Sequence, residues 1–179
     1  MPCLGVLLYI EGAAPFSLFI LAALLHEMGH VIAVKYYGGN VKRIDVMPLG
    51  ARIVTTGELS HIQDMVIYLS GAAANGFAAL LFAPALMFNT SPYLLYFILS
   101  NIFLGAINLL PIKGNDGYCA LSSFLENRNK YDKDTGALRR IMRVSDVLFF
   151  IFSFGAVYAS GFNAGIISLV AAANIYKKY

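Results

Sequence analysis

Charged residues are scarce in this 179-residue chain, at 13% of the total, while hydrophobic residues make up 59%. A soluble domain usually carries about 25% charged residues, so this composition excludes an ordinary soluble protein and indicates a polytopic membrane protein. The two cysteines, Cys3 and Cys119, are too few for a disulfide framework or a thiolate metal site. No repeat or long linker divides the chain. We therefore expect one domain over residues 1–179, with a core at 15–126 and a C-terminal helical hairpin at 144–176.

Long apolar runs account for most of the chain, and each approaches or exceeds the ~20 residues that a helix needs to cross a bilayer. They cover Pro15–Tyr37, Met65–Phe88, Pro92–Leu110 and Val144–Tyr158, with a shorter run at Phe162–Tyr176. The opening run, Cys3–Ile10, is too short to cross alone and lacks the features of a signal peptide, so we interpret it as a partial or re-entrant helix. The predicted fold is an all-α polytopic membrane protein with about four to six transmembrane helices and a small interfacial β-hairpin.

Basic residues are absent from every second connection between these runs. They are frequent after the first run and between residues 113 and 143, whereas the turns at residues 89–91 and at Gly161 hold none. Because lysine and arginine concentrate in cytoplasmic loops, we expect all 13 basic residues on the cytoplasmic side. The topology then accounts for the net charge of +3, and no nucleic-acid partner is expected.

The polar segment Val41–Thr56 is rich in valine, isoleucine and threonine and is interrupted by Pro48-Leu49-Gly50, which predicts a β-hairpin. An open strand edge cannot face lipid, so the hairpin should lie in the membrane interface or against protein. Its free edge could pair with an extended peptide. An ordinary solvent-exposed loop is the alternative.

Five residues of the first run point most directly to chemistry: His26-Glu27-Met28-Gly29-His30. Two histidines four residues apart lie on one face of a helix, so both imidazoles can bind one metal ion, with zinc the expected metal. Glu27 is well placed to take a proton from a water that the metal activates. Ionisable side chains at membrane depth cost roughly 2.5 to 3.5 kcal/mol each at a helix centre. Their clustering therefore indicates a function.

Catalytic zinc usually has three protein ligands and a water, so the histidines need a partner. Asp116 is the leading candidate, because Pro111 and Gly114 break the preceding helix and could turn this carboxylate back into the bundle. Asp116 could instead be the N-cap of the following helix. His61 and Glu58, in a polar loop, are weaker competitors.

These motifs resemble the site-2 protease family of intramembrane zinc metalloproteases. The resemblance covers roughly residues 15–126 and rests on the histidine helix, the segment Asn108–Gly117, the hairpin around Pro48–Gly50 and the stretch Gly71–Asn75. The basic pair Lys42-Arg43, the absence of an inserted PDZ domain and the small size make the chain most similar to the short sporulation-type members, such as stage IV sporulation protein FB. The implied location is a bacterial cell membrane.

The resemblance implies that His26, His30 and Asp116 are ligands of one zinc ion per chain, with Glu27 as the general base. The chain departs from the family pattern at residues 114–115, where a proline and a small apolar residue are usual. We therefore expect the loop before Asp116 to be more flexible or differently shaped.

The resemblance also implies that Asn75 and Asn108 line the active-site cavity and help to hold the substrate or its developing oxyanion. Each asparagine could instead serve as a contact between transmembrane helices. Gly71 and Gly76 could simply permit close packing. Gly29 is expected to allow close approach to the helix that carries the histidines, and a packing role for it is an equally economical alternative.

The predicted function is a zinc-dependent intramembrane endopeptidase that cuts a membrane-embedded or membrane-associated protein near the cytoplasmic face. The active site should lie near the cytoplasmic end of its span, with Asp116 just beyond the end of another. Expected partners are the substrate, the lipid bilayer and, in some settings, a regulatory membrane protein; the oligomeric state is not indicated. An inert scaffold is disfavoured because a structural zinc needs no base such as Glu27. A metal transporter is disfavoured because the sequence has no ladder of intramembrane ligands.

Overall fold

The computed structural model describes residues 13–47, 50–56, 59–88, 90–112 and 114–128, together with residues 136, 140, 143 and 144. Within this part, three helices are long and apolar enough to cross a membrane. They are α1 (Ala13–Tyr36), α2 (His61–Phe82, continued by a short 3₁₀ helix, Ala83–Met87) and α3 (Pro92–Leu109). These helices correspond to the first three predicted runs. The predicted opening helix at 3–10 lies outside the described residues, as does the predicted C-terminal hairpin beyond residue 144.

α1 buries one narrow face, and several of its large apolar side chains lie on the exposed face. Its buried residues follow helical spacing and are Ala22, His26, Gly29, His30 and Val34. Large apolar side chains such as Leu24 and Ile32 are exposed instead. Polar groups inside and apolar groups outside are the pattern expected of a helix surrounded by lipid.

α1 ends in a glycine turn that leads into two short strands. Gly38 has a φ of 75°, and the Gly39 amide donates to the Val34 carbonyl at 2.9 Å, as in a Schellman cap. The strands β1 (Asn40–Met47) and β2 (Gly50–Thr56) pair antiparallel, with a register shift between residues 41 and 43. They lie in the segment for which the sequence predicts a hairpin, whose residues 48 and 49 are outside the described part.

α2 is central, because it packs against α1, α3 and a fourth helix, α4 (Asp116–Arg128). A capping box sets its start: the Ser60 amide donates to Gln63 Oε1 at 2.9 Å, and the Gln63 amide donates to Ser60 Oγ at 3.3 Å. Its buried residues are mostly small and are Ile67, Gly71, Ala72, Asn75, Ala78 and Ala79. Small residues at these positions let the helix backbones approach closely.

α4 runs antiparallel to α2. At one end, Asp116 contacts the histidines of α1, which lie against Gly71 of α2. At the other end, Glu126 lies 3.5 Å from His61, the first residue of α2. The stretches 61–71 and 116–126 each advance by ten residues, or about 15 Å at the helical rise. Asp116 does follow the end of α3, but that end lies at the level of the middle of α2.

Candidate metal centre

Three side chains from two distant segments converge between the helices. The Nε2 atoms of His26 and His30 are 3.2 Å apart, as expected for histidines one turn apart on α1. Asp116 Oδ2 lies 2.8 Å from His26 Nε2 and 3.1 Å from His30 Nε2. Both histidines are buried, and Asp116 is largely so. The structure thus brings together the three residues that the sequence nominated.

The spacing of these three atoms fits one small metal ion. Zinc binds histidine nitrogen and carboxylate oxygen at about 2.0–2.2 Å, which places neighbouring ligand atoms of a tetrahedral site about 3.3 Å apart. The observed separations of 2.8, 3.1 and 3.2 Å are close to that value. The cluster could therefore hold a metal ion.

A backbone carbonyl orients one of the imidazoles. His30 Nδ1 lies 2.7 Å from the carbonyl oxygen of Ile67, and the Ser70 hydroxyl donates to the same carbonyl at 2.6 Å. In neutral His30, a hydrogen bond from Nδ1–H to the Ile67 carbonyl leaves the lone pair of Nε2 facing His26 and Asp116. Metal-binding histidines are commonly oriented by a hydrogen bond of this kind. The buried Nδ1 of His26 has no hydrogen-bond partner among the described residues.

The loop before Asp116 is tied to the end of α3. The Asn115 side-chain amide donates to the Ile107 carbonyl at 2.8 Å, and Ile112 is buried. Gly114 has a φ of 103°, a conformation that favours glycine. A Cβ at Gly117 would collide with the backbone of Leu109. Residues 114 and 115, where the chain departs from the family pattern, thus supply a turn and an anchor for the carboxylate.

Asp116 is the first residue of α4, and Asn115 occupies the N-cap position instead, since its carbonyl accepts from the Cys119 amide at 3.3 Å. The alternative role of Asp116 as an N-cap is therefore wrong. Burial by itself raises the pKa of the Asp116 carboxyl, but hydrogen bonding and charge interactions with His26 and His30 outweigh it and hold the pKa below its usual value. Asp116 is thus a carboxylate at neutral pH, the form that binds metals.

Glu27 follows His26 on the same turn and is half-buried. At 3.6 residues per turn, it lies about 60° around the helix axis from His30. Met28, by contrast, is exposed on the outer face. The order of side chains around α1 therefore puts Glu27 beside the cluster and leaves Met28 towards the surroundings.

Gly29 permits α1 and α2 to approach each other, which is a packing role. A Cβ built at Gly29 would lie 2.5 Å from the Ser70 carbonyl oxygen and 2.8 Å from the Ala74 Cβ. Real Cβ atoms do not come this close to backbone atoms. Any larger residue at this position would push α1 away from α2.

Of the other nominated residues, none that the structure describes belongs to the cluster. His61 pairs with Glu126 at the far end of α4, and Glu58 lies outside the described residues. Asn108 is half-buried, and its amide donates to the Leu104 carbonyl of its own helix at 3.0 Å. Asn75 is fully buried one turn after Gly71, and its amide donates to the Asn101 carbonyl at 3.4 Å.

Asn101 is a buried polar residue that the sequence analysis did not single out. Its side chain is fully buried on α3, where its amide donates to the Phe97 carbonyl at 2.9 Å. The Oδ1 atoms of Asn101 and Asn75 both lack a partner among the described residues. The available signal was an asparagine in the middle of an apolar run, since a buried amide is costly unless it is bonded.

The fold and the site together define a class: a helical integral membrane protein with a candidate metal centre of two histidines and a carboxylate buried between its helices. A particular fold follows from comparison with solved structures. The site-2 protease from Methanocaldococcus jannaschii superposes with a TM-score of 0.66 at 21% sequence identity, covering 92% of this chain and 77% of that one. The chain therefore has the fold of a site-2 protease.

A curated relative agrees with this fold. A zinc metalloprotease of Methanocaldococcus jannaschii is 28% identical over 131 residues, which are 70% of this chain. The matched part spans 38% of the length of that relative. No protein-family model matches the chain. The fold and this relative confirm the resemblance to the site-2 protease family that the motifs indicated.

Proposed function

We propose that this protein is a zinc-dependent intramembrane endopeptidase that hydrolyses a peptide bond of a membrane-embedded or membrane-associated protein. The observation that carries the proposal is the convergence of His26, His30 and Asp116 beside Glu27. Neither helix periodicity nor packing requires a carboxylate to meet two buried histidines, whereas a metal-dependent hydrolase requires this arrangement. The relative named as a zinc metalloprotease supports the choice of metal.

In this proposal each residue has one task. His26, His30 and Asp116 hold one zinc ion, with Ile67 fixing the orientation of His30. Zinc bound there would act as a Lewis acid towards a water molecule and the scissile carbonyl. Glu27 accepts a proton from the attacking water and then donates it to the leaving amine nitrogen. The pairing of a base with a metal-binding cluster favours catalysis over an inert scaffold.

We assign the active site to the cytoplasmic half of the membrane. This orientation is supported by Lys35 in the last turn of α1, by the basic residues that follow this helix, and by the basic stretch after α4. In this orientation His61 marks the cytoplasmic end of α2, and the site lies about 15 Å along the helix from it. Water would have to cover that distance to reach the site. A polar cavity that opens to the cytoplasm between the helices would provide this access.

The substrate must be extended where it is cut, since a helix does not present its carbonyls to a nucleophile. We propose that the pair β1 and β2 lies in the membrane interface and that its free edge adds a strand of substrate. Asn75 and Asn108 would line the cavity and hold the substrate backbone. The burial of Asn75 favours a role close to the site, whereas the bond from Asn108 to Leu104 leaves its carbonyl oxygen for the substrate.

A metal transporter is the second candidate and is less well supported. Among the described residues, the group of His26, His30 and Asp116 is the single cluster of three or more metal-ligating side chains. Transport needs further sites by which an ion enters and leaves. An arrangement with one convergent site favours chemistry at that site.

The deciding experiment is proteolysis in proteoliposomes with a panel of single-span membrane proteins. Glu27→Gln should retain stoichiometric zinc while cleavage falls by about 10²- to 10⁴-fold, the usual contribution of a general base. Met28→Leu, on the exposed face of the same turn, is the matched control and should cleave like wild type. Equal cleavage by wild type and Glu27→Gln would exclude the mechanism. Inactive wild type with zinc bound across the panel would favour the scaffold.

A further inference from the structure

Two glycines of α2 have opposite surroundings although they are five residues apart. A Cβ built at Gly76 would meet no atom within 4 Å. A Cβ built at Gly71 would lie 2.7 Å from His26 Nε2 and closer still to His30 Nε2. Both positions are glycines of the same helix, but their neighbouring atoms differ.

The neighbours of Gly71 are the metal-ligating atoms themselves. At Gly29, the other crowded glycine of this interface, the nearest atom is a backbone oxygen, so a side chain there would separate the helices. At Gly71 the nearest atoms are the tips of two imidazoles, which can rotate away without moving a backbone. A methyl group at residue 71 would therefore displace the ligands and leave the helix packing intact.

The position of that methyl group is close to where an ion would bind. Zinc lies about 2.0–2.1 Å from histidine nitrogen, and the Cβ at residue 71 would be only slightly farther from both Nε2 atoms. Carbon has no lone pair to offer, and its van der Waals radius is incompatible with these distances. A methyl group and a bound ion would compete for the same space beside His26 and His30.

We infer that Gly71 is a positioning residue that keeps open the space in which His26, His30 and Asp116 bind the metal. This inference rests on the proposed zinc site and adds a residue from a third segment to it. Glycine is a poorer helix former than alanine, so its presence inside α2 does not serve helix stability. The proposed metal centre depends on the absence of a side chain at residue 71.

The test compares Gly71→Ala with Gly76→Ala, which makes the same chemical change on the same helix in open space. The full chain of each variant and of wild type is purified in detergent, stripped with a chelator and titrated with zinc. Bound zinc is counted by elemental analysis, and cobalt absorption reports the ligand geometry. Thermal unfolding is recorded with chelator and with zinc.

Wild type and Gly76→Ala should bind one zinc per chain and unfold at a higher temperature with zinc than with chelator. Gly71→Ala should bind zinc at least ten-fold more weakly, lose the cobalt spectrum and show little zinc-dependent shift. With chelator it should unfold at about the same temperature as Gly76→Ala, because only the imidazole tips are displaced.

Two results would overturn the inference. The first is wild-type zinc affinity and cobalt absorption in Gly71→Ala. The second is a chelator-stripped Gly71→Ala that unfolds far below Gly76→Ala, which would assign Gly71 to helix packing. A wild-type protein that binds no zinc would refute the proposed function and the inference with it. This outcome differs from the first two because wild type and both variants would then behave alike.

Discussion

The two ends of α4 each pair a carboxylate with histidine, yet they differ in almost every physical respect. At the inner end, Asp116 meets His26 and His30, whose side chains are 6% and 8% exposed, against 21% for Asp116. At the outer end, Glu126 lies 3.5 Å from one histidine, His61, and the two side chains are 33% and 52% exposed. The same residue types thus make a convergent buried cluster at one end and a loose surface pair at the other.

This contrast shows why residue identity alone does not define a metal site. An exposed histidine–carboxylate pair is screened by solvent and contributes at most about 1 kcal/mol. A buried carboxylate with two buried imidazoles is costly to assemble without a cation, which supports the proposal that a metal ion binds there. Burial and the number of converging ligands separate the two ends of α4.

The largest difference between the two ends of α4 is expected when the carboxylate at each end is removed. Asp116→Ala should abolish stoichiometric zinc binding and proteolysis, because two histidines alone form an incomplete site. Glu126→Ala, its matched control about 15 Å away along α4, should bind zinc like wild type. Elemental analysis of the purified variants measures both. Stoichiometric zinc with undiminished activity in Asp116→Ala would mean that this carboxylate is no ligand.

A smaller effect is expected from loosening the loop that presents Asp116. Asn115→Ala removes the hydrogen bond to the Ile107 carbonyl, which is worth about 1 kcal/mol net, so zinc affinity should fall by up to about tenfold. Competition with a chromophoric chelator measures the affinity. An affinity identical to that of wild type would show that Ile112 and the glycines of the loop position the carboxylate without this bond.

The smallest effect should come from the outer pair. His61→Ala, Glu126→Ala and the double variant form a thermodynamic cycle, and the coupling free energy should be no more than about 1 kcal/mol and should decrease with salt. Thermal unfolding in detergent at low and high ionic strength provides the values. A coupling well above this limit would mean that the outer end of α4 is a structural clamp and that exposure underestimates its strength.

Much of the arrangement is predictable from local sequence. Apolar runs indicate α1, α2 and α3, and the four-residue spacing of His26 and His30 makes their meeting a property of one helix turn. The sequence also favoured Asp116 over His61 as the third ligand, because the helix breakers before Asp116 predict a turn into the bundle. These inferences use interactions within a few residues along the chain.

Other features could not be predicted from local sequence. Gly71 and Gly76 look alike in a run of small residues, and only the packing of α1 against α2 gives them different neighbours. Asn75, Asn101 and Asn108 are likewise all asparagines in apolar runs. Which of them is buried depends on how the helices are rotated about their axes, a property set by many small contacts between segments.

The sequence by itself determined the three apolar helices α1, α2 and α3, the paired histidines and the glutamate between them, because helix geometry and the cost of charge in lipid act locally. The tertiary structure decided how deep the site lies and what surrounds it. Asp116 reaches His26 across 90 residues of chain because α3 ends at the level of the middle of α2 and α4 turns back along it. That meeting depends on the packing of four helices, which no local pattern specifies.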